Sequence, residues 1–257
     1  MLAVLAVRGW TTALTMLAGA LAVATLPLIL SGPVPPRRTA LPPAEPLVFA
    51  PWLARPAAVR WLGLLLLYKT GDAFGTAIVK PMLVDLGLGL AEVGWLFGVV
   101  GSTAALGGAA TGAVVVMRVG LPRALVGFAA IQAATIGVWA GVAWFPRPWL
   151  WTVAVAIEHF GSAMATTALF TAMMAACRPS RSAGDYTVQA STVVVAQGLA
   201  ALVAGVSADL LGYRGHLLLA VALALLVIPA ARAWSPAVWA TAGEEGDGEQ
   251  GGGQPGR

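Results

Sequence analysis

The chain has 257 residues, 59% of them hydrophobic and only 10% charged, with a net charge of +4 and a mean hydropathy of +0.84. A soluble domain carries about 25% charged residues, so this chain has too little polar surface to cover a water-soluble core and reads as an integral membrane protein. The positive balance forms no basic patch with interleaved aromatics, so no nucleic-acid partner is indicated, and the single cysteine, Cys177, excludes an intrachain disulfide.

Seven apolar runs follow along the chain, at about 10–30, 61–84, 91–117, 124–145, 149–176, 186–208 and 215–233. Each is near the roughly 20 residues that cross a bilayer as a helix, and none shows the short alternating pattern of a barrel strand. The expected fold is therefore an all-α polytopic bundle of about seven transmembrane helices. Trp10, Trp61, Trp95, Trp144, Trp149, Trp151 and Trp234 fall near the ends of these runs, as an interfacial belt would.

The first run, preceded by Arg8, is longer than the usual 7–15 residues of a signal-peptide core and no clear A-x-A site follows it, so a retained helix is expected. Residues 31–60 hold eight of the seventeen prolines and read as a semi-rigid, non-helical linker. Together, residues 1–60 are one helix plus this linker. Six helices then fall into two equal blocks, 61–144 and 149–232. Three helices per block give opposite membrane orientations, the pattern of an inverted-topology repeat. The tail, 233–257, is Gly-rich and acidic, and is expected to be disordered. One set of loops and the tail carry Arg37, Arg38, Arg55, Arg60, Arg118, Arg123, Arg178, Arg181, Arg232 and Arg257, against Arg8, Lys80, Arg147 and Arg214 on the other side. That bias places the first set, and the C-terminus, in the cytoplasm.

Polar residues inside the runs are the functional candidates. In 61–84, Lys69 and Asp72 lie one turn apart on one face, so they can pair. Each costs about 2.5–3.5 kcal/mol at the bilayer centre, and a purely structural pair could be replaced by apolar residues without loss. Gly71 and Gly75 flank them, while Lys80 can snorkel and Pro81 ends or kinks the helix. In 91–117, Gly94, Gly98, Gly108 and Gly112, and in 186–208, Ala200, Ala201, Ala204 and Gly205, have the small-residue spacing of close helix packing. The run 149–176 carries Glu158 and His159, groups able to exchange protons in a cavity. The run 186–208 is opened by Ser182 and Asp185 at capping-box spacing; Gln189 and Gln197 lie deeper and can bridge helices or bind polar solute. The turns MRVGLPR (117–123) and ADLLGYRG (208–215) carry charges suited to clamping neighbouring helices. No HExxH, nucleophile elbow or phosphate-binding loop occurs, so no enzyme, metal or cofactor is indicated.

The segments YKTGDAF (68–74), IEHFGSAMATTALFTAMM (157–174), DYTVQAS (185–191) and SADLLGYRG (207–215) resemble, in order and spacing, the C-terminal half of major facilitator permeases of the AmpG-related group. That group includes muropeptide importers and siderophore importers of the RhtX/FptX type, and DYTVQAS looks closer to the siderophore branch. The resemblance covers about 61–232; the first helix and the proline-rich stretch are similar to the sixth helix and central loop of that fold. It implies a multi-pass protein of the bacterial inner membrane that imports a ferric siderophore, or alternatively a muropeptide or other sugar-peptide, coupled to protons. Lys69, Asp72 and Gln189 would then meet solute, and Glu158 or His159 would carry protons. Members of the group have twelve helices. The resemblance therefore also implies a missing N-terminal half-permease as partner, or a chain that is a non-transporting fragment by itself.

Overall fold

The computed structural model describes residues 2–30, 56–177 and 182–234; the proline-rich stretch up to residue 55 and the acidic tail from residue 235 lie outside the described residues. In chain order the helices are α1 (Leu2–Leu30), α2 (Pro56–Ala77), α3 (Val79–Asp85), α4 (Leu90–Trp95), a π-helical turn (Leu96–Gly101), α5 (Ser102–Val119), α6 (Leu121–Trp144), α7 (Pro148–Ala175) and α8 (Ser182–Trp234). No strand occurs among the described residues. Five helical runs there are long and apolar enough to cross a bilayer: 58–85, 90–119, 121–144, 148–175 and 182–233. The last holds Gly212 at φ 66°, ψ 170°, a conformation open to glycine, and this one residue turns the chain between a first arm (182–211) and a second arm (213–234). With α1, the architecture is the expected all-α polytopic bundle.

Helix boundaries follow local chemistry. α2 begins at Pro56, so residues 56–60 are helical and not part of a non-helical linker. Proline at the first helical position loses no hydrogen bond there, and its fixed φ already suits the helix. Pro81 has no N–H to offer the carbonyl of residue 77 and crowds it. The break between α2 and α3 falls there, at Ile78. Gly120, at φ 83°, ends α5 and lets α6 start one residue later, with Pro122 in its first turn.

Packing uses backbone contact as much as side-chain volume, as expected where lipid removes the hydrophobic drive for helix association. A Cβ on Gly71 would lie 2.9 Å from the backbone of Ala224, and one on Gly75 would lie 3.1 Å from Ala220 and Ile136. On α5, a Cβ at Gly108 would lie 2.2 Å from the Phe160 carbonyl oxygen, and one at Gly112 would lie 2.9 Å from the Met164 Cα. Gly98 of that glycine pattern does not pack: it has open space around it. In the first arm of α8, Ala200 and Ala204 are buried while Ala201 is exposed and Gly205 faces open space.

The aromatic belt holds in part. Trp95, Trp144 and Trp149 are exposed near helix ends, but Trp61 is a core residue. Its indole has found a hydrogen-bond partner inside the bundle, which removes the reason for it to sit at an interface.

The turn at Gly212 is fastened to its neighbours. The Tyr213 hydroxyl donates to the Asp85 carboxylate at the end of α3. Arg214 Nε donates to the Ala143 carbonyl at 3.1 Å, with its guanidinium over the Trp144 ring. This is the clamping role that ADLLGYRG suggested.

Candidate functional site

Lys69 and Asp72 are both buried, with 4% and 7% of their surface exposed. Lys69 Nζ donates to Asp72 Oδ2 at 2.9 Å, as the i to i+3 spacing on α2 allows. A third group completes the cluster. Ser162 of α7 accepts from Lys69 Nζ at 3.1 Å and donates to Asp72 Oδ2 at 3.1 Å. The hydroxyl can do both because it carries one donor and two acceptor sites. The result is a closed triangle of hydrogen bonds between two helices.

The triangle leaves one atom out. Asp72 Oδ1 is buried and has no hydrogen-bond partner. On α6, Gln132 is 3% exposed and its Nε2 is likewise buried without a partner. An orphaned buried polar group costs about 1–3 kcal/mol, and Trp139 Nε1, Trp151 Nε1 and His159 Nδ1 are in the same position among the described residues.

Glu158 lies four residues before Ser162 on α7, on the same face and about one turn away. It is buried, while the His159 side chain is partly exposed. His159 Nδ1 lies 2.6 Å from Glu158 Oε2, though not aligned for a hydrogen bond. The two neighbours therefore meet across their own helix, and full burial of α7 is not needed. The imidazole packs on the π-helical turn: a Cβ at Gly101 would lie 2.7 Å from its ring, and Phe97 meets it edge-on. Phe97 also carries Lys80 Nζ 5.0 Å from its ring centre.

Gln189 is fully buried and its amide is saturated. Oε1 accepts from Trp61 Nε1 at 2.6 Å, and Nε2 donates to the carbonyls of Met173 and Asp185 at 3.2 and 3.1 Å. The amide thus ties α2, α7 and α8 together, the bridging alternative for this residue. It also reaches Cys177 Sγ, 3.4 Å away, while burial pushes that thiol above its ordinary pKa. Asp185 is buried in the first turn of α8.

Sequence reasoning passed over three groups. Ser162 reads as a small packing residue, and Gln132 as a single amide in an apolar run. His216 is fully buried, with Nε2 3.0 Å from the Phe74 carbonyl and Nδ1 3.1 Å from Ser207 Oγ. A carbonyl only accepts, so Nε2 carries the proton, and the ring joins α2 to both arms of α8. No triad of metal-ligating side chains occurs among the described residues. A cavity of about 390 Å³ opens at the start of α7, lined in part by Glu92, Trp95, Val100 and Trp151. It touches none of the Lys69, Asp72 and Ser162 side chains.

No family model matches the chain. It is 28% identical over 178 residues to a transporter named AmpG 4 of Rickettsia conorii, covering 69% of this chain and 43% of that protein. The corresponding protein of Rickettsia felis is 26% identical over the same length. An anhydromuropeptide permease of Escherichia coli K12 is 31% identical over 169 residues, 64% of this chain and 34% of that protein. The chain thus spans less than half the length of the curated relatives it matches. Across most of its helical region this multi-pass chain is similar to membrane permeases.

Proposed function

We propose that the chain forms the solute-binding half of a secondary transporter, with Lys69, Asp72 and Ser162 as the point where solute engages. The single observation that supports this most is the polar triangle buried between α2 and α7. Buried charges in a membrane segment are costly and mark solute or ion paths. An anionic group on the solute would draw Lys69 away from Asp72. Glu158 and His159, a turn away on α7, are the proton carriers in this reading, and the solute is imported with protons across a bacterial inner membrane with the C-terminus cytoplasmic. The two three-helix blocks act as inverted repeats, and a second half-permease closes the path from the other side. Gln189 serves the site by fixing α2 against α7 and α8.

Two solutes fit. The resemblance of DYTVQAS to the siderophore branch favours a ferric siderophore, and the name of the Escherichia coli relative favours a muropeptide. Uptake of a labelled ferric siderophore and of a labelled anhydromuropeptide, in cells with and without the chain and its completing half, separates them. Asp72→Asn is expected to abolish uptake of the accepted solute at unchanged protein level. Unchanged uptake would reduce the triangle to packing.

A further inference from the structure

Gln132 belongs to no pattern in the sequence, yet three contacts fix its depth. Tyr68 of α2 donates to the Leu125 carbonyl of α6 at 2.9 Å, and further along both helices Gly75 abuts Ile136. The two helices therefore run parallel. Asp72 stands three residues before Gly75 and Gln132 four before Ile136, so each lies about one turn short of the same contact. From α7, Gly161 abuts Ile131 and Thr135, the residues around Gln132, and its neighbour Ser162 bonds Lys69 and Asp72. Gln132 lies on the buried stripe of α6 that also holds Leu125, Ala129 and Ile136. Three helices thus bring an unpartnered amide donor and an unpartnered carboxylate oxygen to one level. The two are chemically complementary, and each is left over from the bonds made in this state.

We infer that Gln132 is the alternate partner of Asp72: when an anionic group on the solute takes Lys69, the Gln132 amide turns to the carboxylate and holds it. This rests on the reading of Lys69 and Asp72 as the solute site. It gives that site a second arrangement, in which Asp72 keeps a donor after losing its cation. A two-state exchange of this kind needs only side-chain rotation, because the helices already meet at this depth.

Stability of the full-length chain in detergent tests the inference without transport. Gln132→Leu alone removes an orphan and is expected to leave the unfolding temperature unchanged or raised; a Gln132 that merely supported packing would lower it. In a Lys69→Met background, Asp72 keeps the Ser162 hydroxyl, and Gln132 is the donor that can replace the lost ammonium. There Gln132→Leu is expected to lower the unfolding temperature by more than about 3 °C beyond the sum of the single effects. Strict additivity would overturn the inference. If the doubly substituted chain does not fold, Asp72→Cys with Gln132→Cys in a Cys177→Ser chain replaces it: disulfide formation under mild oxidation supports the proximity, and its absence sinks it. None of these measurements uses solute, so failed uptake and a failed stability cycle tell the two readings apart.

Discussion

Helix α7 meets two neighbours in two different ways. Towards α5 it presents Phe160 and Met164 to Gly108 and Gly112, and backbones touch with no atom to spare. Towards α2 it presents Ser162 to a lysine and an aspartate, and contact is made through rotatable polar side chains. The first seam has one arrangement, because a van der Waals fit that close cannot be re-made in another register. The second can exist in several, because each donor and acceptor can change partner without moving the backbone. One helix therefore combines a rigid side that carries position with an adaptable side that carries chemistry.

The largest effect expected comes from unbalancing the adaptable seam. Lys69→Met leaves a buried carboxyl group without its ammonium partner and should cost about 3–5 kcal/mol of stability. Lys69→Met with Asp72→Leu should restore most of it, read by thermal unfolding in detergent; no recovery would mean that the seam depends on its polar atoms for folding. Next comes the rigid seam. Gly108→Val sets a side chain against the Phe160 carbonyl and should cost about 1–3 kcal/mol or more. A wild-type unfolding temperature would show that α5 and α7 can move apart freely. The smallest effect is the control on the same run: Gly98→Ala meets open space and should shift stability by less than about 0.5 kcal/mol.

Much of this was legible in the residues. Run lengths define the spans, and the i to i+3 spacing of Lys69 and Asp72 already implies their bond. ADLLGYRG announces a clamped turn because Gly212, Tyr213 and Arg214 combine a special backbone with two polar reaches. Ser162 was not legible, because its importance lies in a partner 90 residues away in sequence. A serine in an Ala-rich helix looks like a packing residue until a charge is found opposite it. The placement of Trp61 failed for a related reason: a tryptophan near a helix end suits the interface unless an amide such as Gln189 awaits it inside. The repeated glycines of 91–117 suggested close helix packing, but nothing in LFGVVG announces the wider turn that it forms.

That wider turn changes what a single span can do. A π-helical turn advances less rotation per residue than an α-helix, so the two ends of 90–119 are out of phase with each other. Gly98, inside the wider turn, faces open space, and Gly108, beyond it, is pressed on α7. His159 rests where the phase slips, against Gly101. The membrane run behaves as two short helices sharing an axle, and its half beyond Gly101 can stay locked to α7 while the other faces a different companion.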